Sequence, residues 1–202
     1  MTHAAATTIV VKAERKAPVV YEFSADPIAA GIATDLAHPL FNATGVTLLK
    51  AELNGKRLEF LHEIGPDIRR VAVIANPLHT GEESERTDLA AKADQLGIRL
   101  SFLSTPNRAE LDRALDTIAA DPPQAIVAFS ESFVVENRQT IINFAMSRRL
   151  PVVSGWAVMA RSGALFTYGP RLSESTDARP TMSVGSSRAL SRPNCPSSSR
   201  LC

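Results

Sequence analysis

Arg69-Arg70 leads into five consecutive apolar residues, Val71-Ala72-Val73-Ile74-Ala75, and Asn76-Pro77 stops the run. A short apolar run without alternation reads as a strand covered on both faces, the condition of strands in parallel sheets. Proline offers no N–H to a ladder and steers the residue before it out of helix geometry, so the strand ends at Asn76. In open α/β sheets ligands lie beyond the carboxyl ends of strands. Asn76, whose amide both donates and accepts, therefore stands where a ligand is read.

The pattern repeats downstream. Residues 98–103, 125–129 (AIVAF), 151–154 and 164–168 each predict a strand. Helical segments alternate with them. Residues 52–64 carry Leu53, Leu58, Leu61 and Ile64 on one side and stop at Gly65-Pro66. Thr80 and Glu83 form a capping box for a helix that stops at Gly97. Asn107 caps a helix with Leu111, Leu115 and Ile118 on one face, ended by Asp121-Pro122-Pro123. Residues 134–149 predict another. Strand and helix alternating over short connections give an α/β fold, a doubly wound parallel sheet with right-handed crossovers.

The flanks are less regular. Residues 7–11 fit either a short strand or the first turns of a helix. Residues 18–24 read as a strand. Asp26-Pro27 combines a capping carboxylate with proline at a first helical position, which predicts a helix over 26–36, broken by His38-Pro39. Asn42-Ala43-Thr44-Gly45 reads as a turn into an extended piece; its first three residues fit the glycosylation acceptor pattern, which is common by chance. Residues 176–202 are rich in Ser, Arg and Pro without apolar periodicity and read as a disordered tail.

Composition excludes several classes. With a formal net charge of +1 and no dense basic block, the chain lacks the phosphate-neutralising surface of a nucleic-acid binder. No apolar run approaches the length of a membrane helix, and the N-terminus lacks a signal-peptide pattern. The two cysteines, Cys195 and Cys202, both lie in the tail, so no disulfide framework or thiol nucleophile is expected. His3, His38, His62 and His79 show no metal-ligand spacing. No dinucleotide fingerprint, phosphate loop or nucleophile elbow occurs, and no cofactor is expected. Glu82, Glu83 and Glu85 open the helix after Asn76, where they complement its dipole and repel phosphate.

The order and spacing of several short pieces resemble a known family. They are Asp26-Pro27-Ile28-Ala29-Ala30-Gly31, Asn42-Ala43-Thr44-Gly45, residues 51–59 (AELNGKRLE), residues 66–73 (PDIRRVAV), Asn76-Pro77 and Tyr168-Gly169-Pro170. From about residue 9 to 175 the chain is similar to periplasmic substrate-binding proteins of ABC transporters, in the branch related to tryptophan and tyrosine binders. The resemblance implies a two-lobed clamp that captures a small organic solute, an amino acid among the candidates, and delivers it to membrane permease subunits from the periplasm. It divides the chain into a partial lobe 1 (1–45), lobe 2 (46–166), a return crossover (167–175) and the tail (176–202). Most of lobe 1 and the export signal are missing from the pattern. Leu40-Phe41 replaces two glycines usual before the Asn-x-Thr-Gly turn, which makes that loop stiffer. Read one base out of frame with freely chosen codons, the tail can encode a family-like amphipathic segment, so it is expected to be frameshifted sequence.

The resemblance places the ligand-facing residues. Asn76 reads polar groups; Ser130 and Ser132 offer helix-start N–H groups to a carboxylate; Trp156 stacks on a ring. Thr44 and Gly45 lie in the crossover between lobes, and Ser24 and Asp26 face the cleft from lobe 1, with Asp26 pairing an ammonium. Each has a plainer reading: a turn Asn, an N-cap, a core aromatic, a turn, a helix cap. Two rival functions stand beside solute binding. An enzyme such as a racemase or hydrolase needs a paired acid and base, for which only Asp26 and Glu131 qualify, on opposite lobes. A non-functional fragment, open on one side, predicts no thermal shift with aromatic or branched amino acids.

Overall fold

The computed structural model describes residues 4–14, 16–23, 26–28, 30–35, 37–47, 50–79 and 81–170. These divide into two compact units, 4–47 and 50–170. The expected tail lies outside the described residues, as does most of the expected return crossover.

The first unit opens with helix α1 (Ala4–Ala13), which settles the ambiguity over 7–11 in favour of helix. Strand β1 (Val19–Phe23), the short β2 (Ala33–Asp35) and β3 (His38–Pro39), and β4 (Ala43–Thr47) come next. β1 and β4 run parallel with Tyr21 opposite Gly45, while β2 and β3 form a small antiparallel pair. Val11, Tyr21 and Ile32 make the core of this unit.

Two expectations fail here. The helix over 26–36 is not formed. The Asp26 carboxylate accepts from Ile28 N–H at 2.8 Å, and Ile32 and Ala33 N–H both bond back to the Pro27 carbonyl. Gly31 then adopts φ 65°, a left-handed conformation that halts any helix and turns the chain into β2. Asp-Pro thus opens a tight turn. Thr44 and Gly45, expected in a turn, are mid-strand in β4.

The second unit carries the α/β sandwich. It begins with α2 (Lys50–Ile64) and strand β5 (Arg70–Ala75). Then come α3 (Glu82–Leu96), β6 (Arg99–Ser104), α4 (Arg108–Ala120) and β7 (Ala125–Ala128). Helices α5 (Ser132–Glu136) and α6 (Arg138–Ser147), strand β8 (Val152–Ser154), α7 (Ala157–Arg161) and β9 (Phe166–Thr167) complete it. The five strands form one sheet in the order β6-β5-β7-β8-β9, every pair parallel.

Alternation along each strand sends side chains to two cores. Ala72, Ile74, Ile126, Ala128 and Val152 pack with Leu111, Leu115 and Ile118 of α4 and with Ile141, Ile142 and Ala145 of α6. Val71, Val73, Ala75, Val127, Phe129 and Val153 pack with Leu58 and Leu61 of α2 and Leu89 and Ala93 of α3. Both faces being covered, the inner strands β5, β7 and β8 are buried along nearly their whole length, as the unbroken runs required, while the edge strand β6 alternates.

Caps hold where the residue chemistry is local. Asn107 accepts from Glu110 N–H at 3.1 Å, and Gly97 ends α3 in a left-handed conformation. The N-cap of α3 is Gly81, and Thr80, which the expected capping box requires, lies outside the described residues. The expected helix over 134–149 is split at Asn137 into α5 and α6. In α2 the buried face is Asn54, Arg57, Leu58 and Leu61, whereas Ile64 is 62% exposed.

Candidate functional site

Counted from the start of the second unit, its strand order is 2-1-3-4-5, and the order reverses between β5 and β7. In sheets of this order ligands bind at that reversal, outside the carboxyl ends of the strands. The residue after β5 is Asn76, and the residues after β7 lead to Ser130 and Glu131. The structure joins them: the Asn76 amide donates to Glu131 Oε2 at 3.5 Å. Its Oδ1 accepts from Leu78 N–H at 3.0 Å, and its carbonyl accepts from His79 N–H, so the loop after β5 turns on Asn76. The turn reading of Asn76 is therefore correct, and its amide also faces a carboxylate.

Glu131 changes what the start of α5 offers. It is buried, and its carboxylate accepts from Phe133 N–H at 2.9 Å and Val134 N–H at 2.5 Å. Two of the N–H groups expected to reach a ligand carboxylate beside Ser130 and Ser132, those of Phe133 and Val134, are thus already taken within the chain. Ser130 is buried beside Gly155, and Ser132 is the half-buried first residue of α5. Ser154 Oγ donates to the Ala128 carbonyl at 2.8 Å and ties β8 to β7. Trp156 follows β8, half-buried, and its carbonyl accepts from Met159 N–H at the start of α7. The expected residues of the second unit, Asn76, Ser130, Ser132 and Trp156, thus all lie at one end of its sheet.

Those of the first unit have other surroundings. Asp26 is exposed in the turn before β2. Thr44 and Gly45 sit in β4. A Cβ on Gly45 would overlap the Tyr21 ring and backbone, so the glycine is required by strand packing. Ser24 lies outside the described residues.

Sequence reasoning missed a polar cluster beneath the strand ends. Arg57 is 1% exposed and donates from Nε to the Tyr168 carbonyl at 2.7 Å and from Nη1 to Asn54 Oδ1. Asn54, fully buried, donates to Glu85 Oε2 at 2.8 Å. Glu85 is 2% exposed and its other oxygen lies 3.5 Å from His79 Nε2. Burial pulls the Arg57 guanidinium down to about 10, against the opposing pull of Glu85, so it stays charged at neutral pH. The signal was present as spacing: residues 54, 57, 58 and 61 form one helical face, but two of them are polar and an apolar count passes over them. Glu85, read as a dipole complement, is instead the buried counterion of this cluster.

Among the described residues no group of His, Cys, Asp and Glu could hold a metal, and no helix is long and apolar enough to cross a membrane. The site is one of amides, hydroxyls, a carboxylate and an indole, suited to reading a small solute by hydrogen bonds and contact.

Solved structures share this architecture. An ABC domain from Streptococcus pneumonia in complex with L-Trp is 18% identical, with a TM-score of 0.82, covering 96% of this chain and 65% of its own. A conserved domain protein from Vibrio cholerae is 23% identical, with a TM-score of 0.81, over 95% of this chain and 63% of its own. The ligand-free, open form of CD0873, a substrate binding protein from Clostridium difficile, is 17% identical, with a TM-score of 0.69, over 97% of this chain and 65% of its own. At these identities the likeness establishes the fold, and the chain spans somewhat under two thirds of the length of these structures. No curated protein sequence matches the chain. A family model described as ABC transporter substrate binding protein matches residues 2–176. That match covers most of the chain, which belongs to the ABC transporter substrate binding protein family.

Proposed function

We propose that this chain binds a small organic solute, an amino acid in the first instance, for delivery to an ABC permease on the outer side of a membrane. The observation that carries the reading is the meeting of Asn76 and Glu131 at the reversal of strand order. A bond of 3.5 Å is at the outer limit for an amide and a carboxylate. A ligand can therefore take over one or both groups at little cost in lost protein bonding. Glu131, with its capping bonds kept, suits a ligand ammonium or hydroxyl. Asn76 suits either polarity. Trp156 supplies apolar contact, and Ser130 and Ser132 supply hydroxyls. The L-Trp bound in the Streptococcus pneumonia relative supports an amino acid as first candidate.

Calorimetric and thermal-shift titration with the common amino acids and simple aromatic acids tests this. One chemical class should raise Tm by several degrees at millimolar concentration, since a ligand present at about 100 Kd stabilises by about 2.7 kcal/mol. Turnover of any of these compounds would favour the enzymatic reading, and silence across the panel would contradict solute binding.

A further inference from the structure

We infer that Arg57 and Glu85 are positioning residues that set the four strand-end loops of the second unit against one another. Calling those loops the walls of a ligand site rests on the solute-binding reading above.

From α2, Arg57 reaches the carbonyl of Tyr168 at the end of β9. A Cβ on Gly155 would overlap both Arg57 Nη2 and Ser130 Oγ, so the ends of β8 and β7 close directly over the guanidinium. A Cβ on Gly169 would in turn overlap the Gly155 carbonyl, so the chain leaving β9 lies on the loop after β8. Through Asn54 the arginine is linked to Glu85 on α3, and Glu85 stands beside His79 in the loop that Asn76 turns. One buried cation and one buried anion thus reach the loops after β5, β8 and β9, and through Gly155 the loop after β7 lies against the same place.

Packing alone does not call for this arrangement. Two opposite charges buried and bridged by Asn54 give up hydration on both sides, and apolar residues of similar volume often serve stability equally well. What a guanidinium adds is direction: donors in a fixed plane that fix one carbonyl and one amide at set angles. Two glycines stripped of side chains around it show that the loops have been drawn in close. A relay of this kind keeps Trp156, Ser130 and Asn76 in register to fractions of an ångström, which binding geometry demands.

Amide hydrogen exchange on the full chain tests the inference without any ligand, together with the emission of Trp156, the single tryptophan. In Arg57→Met, exchange at the Tyr168 amide and across 155–157 should quicken at least tenfold relative to the amides of β5 and β7, and Trp156 emission should shift. Glu85→Gln should quicken 76–82 in the same selective way. Arg57→Lys keeps the charge but cannot span Asn54 and Tyr168 together; it should reproduce the Tyr168 effect, and it carries the test if Arg57→Met does not fold. Uniform quickening through β5 and β7 in step with lost Tm would show that the cluster is merely structural and would overturn the inference. So would exchange at the strand ends unchanged from wild type. If the loops loosen selectively while no solute binds in the titration panel, the solute-binding reading fails and the relay stands.

Discussion

The side-chain amide of Asn76 and the carboxylate of Glu131 face each other at 3.5 Å, one just past β5 and the other just past β7. The two residues are far apart in sequence and meet because the strands that deliver them are neighbours across the reversal in sheet order. The contact is sensitive to charge. Asn76→Asp would set two carboxylates together in a partly buried place. We expect like-charge repulsion between them to weaken ligand binding at neutral pH, which calorimetry reads, and to loosen the loop after β5, which amide exchange reads.

Gly155 is hemmed in by Arg57 and Ser130, so Gly155→Ala must displace one or both side chains. A loss of about 1–3 kcal/mol in urea unfolding is expected, in line with overpacked interiors. Gly97→Ala is the control: open space surrounds it, and only its φ of 64° opposes a side chain, for a cost of about 1–2 kcal/mol.

Leu111 anchors α4 in one core and is fully buried. Leu111→Ala should cost about 2–5 kcal/mol. Asn107→Ala, which removes the cap of the same helix, should cost about 1 kcal/mol. Denaturant curves of the two variants rank the effects, with the core change the larger.

Glu59 links α2 to α3 through Lys92 and also pairs with Lys56. The bonds from Lys56 and Lys92 hold its carboxyl at about 2, below its usual 4.5. A carboxyl depressed in the folded state stabilises fully above its unfolded pKa, and the contribution fades as pH falls through the folded one. The Tm advantage of wild type over Glu59→Gln should therefore be present above the ordinary carboxylate range and disappear as pH approaches about 2. Because the pair is at the surface, added salt should also shrink it.

Much of the second unit was legible in the sequence, since a sheet covered on both faces needs unbroken apolar runs, and Val71–Ala75 and Ala125–Phe129 are such runs. Where the physics was carried by polar groups the reading failed. Asp26-Pro27 can open a helix or a turn, and Gly31 in the left-handed region decides for the turn. Spacing does not show that Glu131 caps its own helix and so occupies the Phe133 and Val134 N–H groups beside Ser130 and Ser132. Asn54 and Arg57 sit at inward positions of α2, but it is the fold, through contacts distant in sequence, that brings Glu85 and the Tyr168 carbonyl there to satisfy them.

Solute binding as proposed rests on Asn76 at the end of β5. Thermal-shift titration of wild type beside Asn76→Ala, with the amino acid that gives the largest response in the panel, tests it most directly. Wild type should rise by several degrees and Asn76→Ala little or not at all, the variant starting from a somewhat lower unliganded Tm because it loses the Leu78 N–H bond. An Asn76→Ala protein that responds as fully as wild type would contradict the proposal.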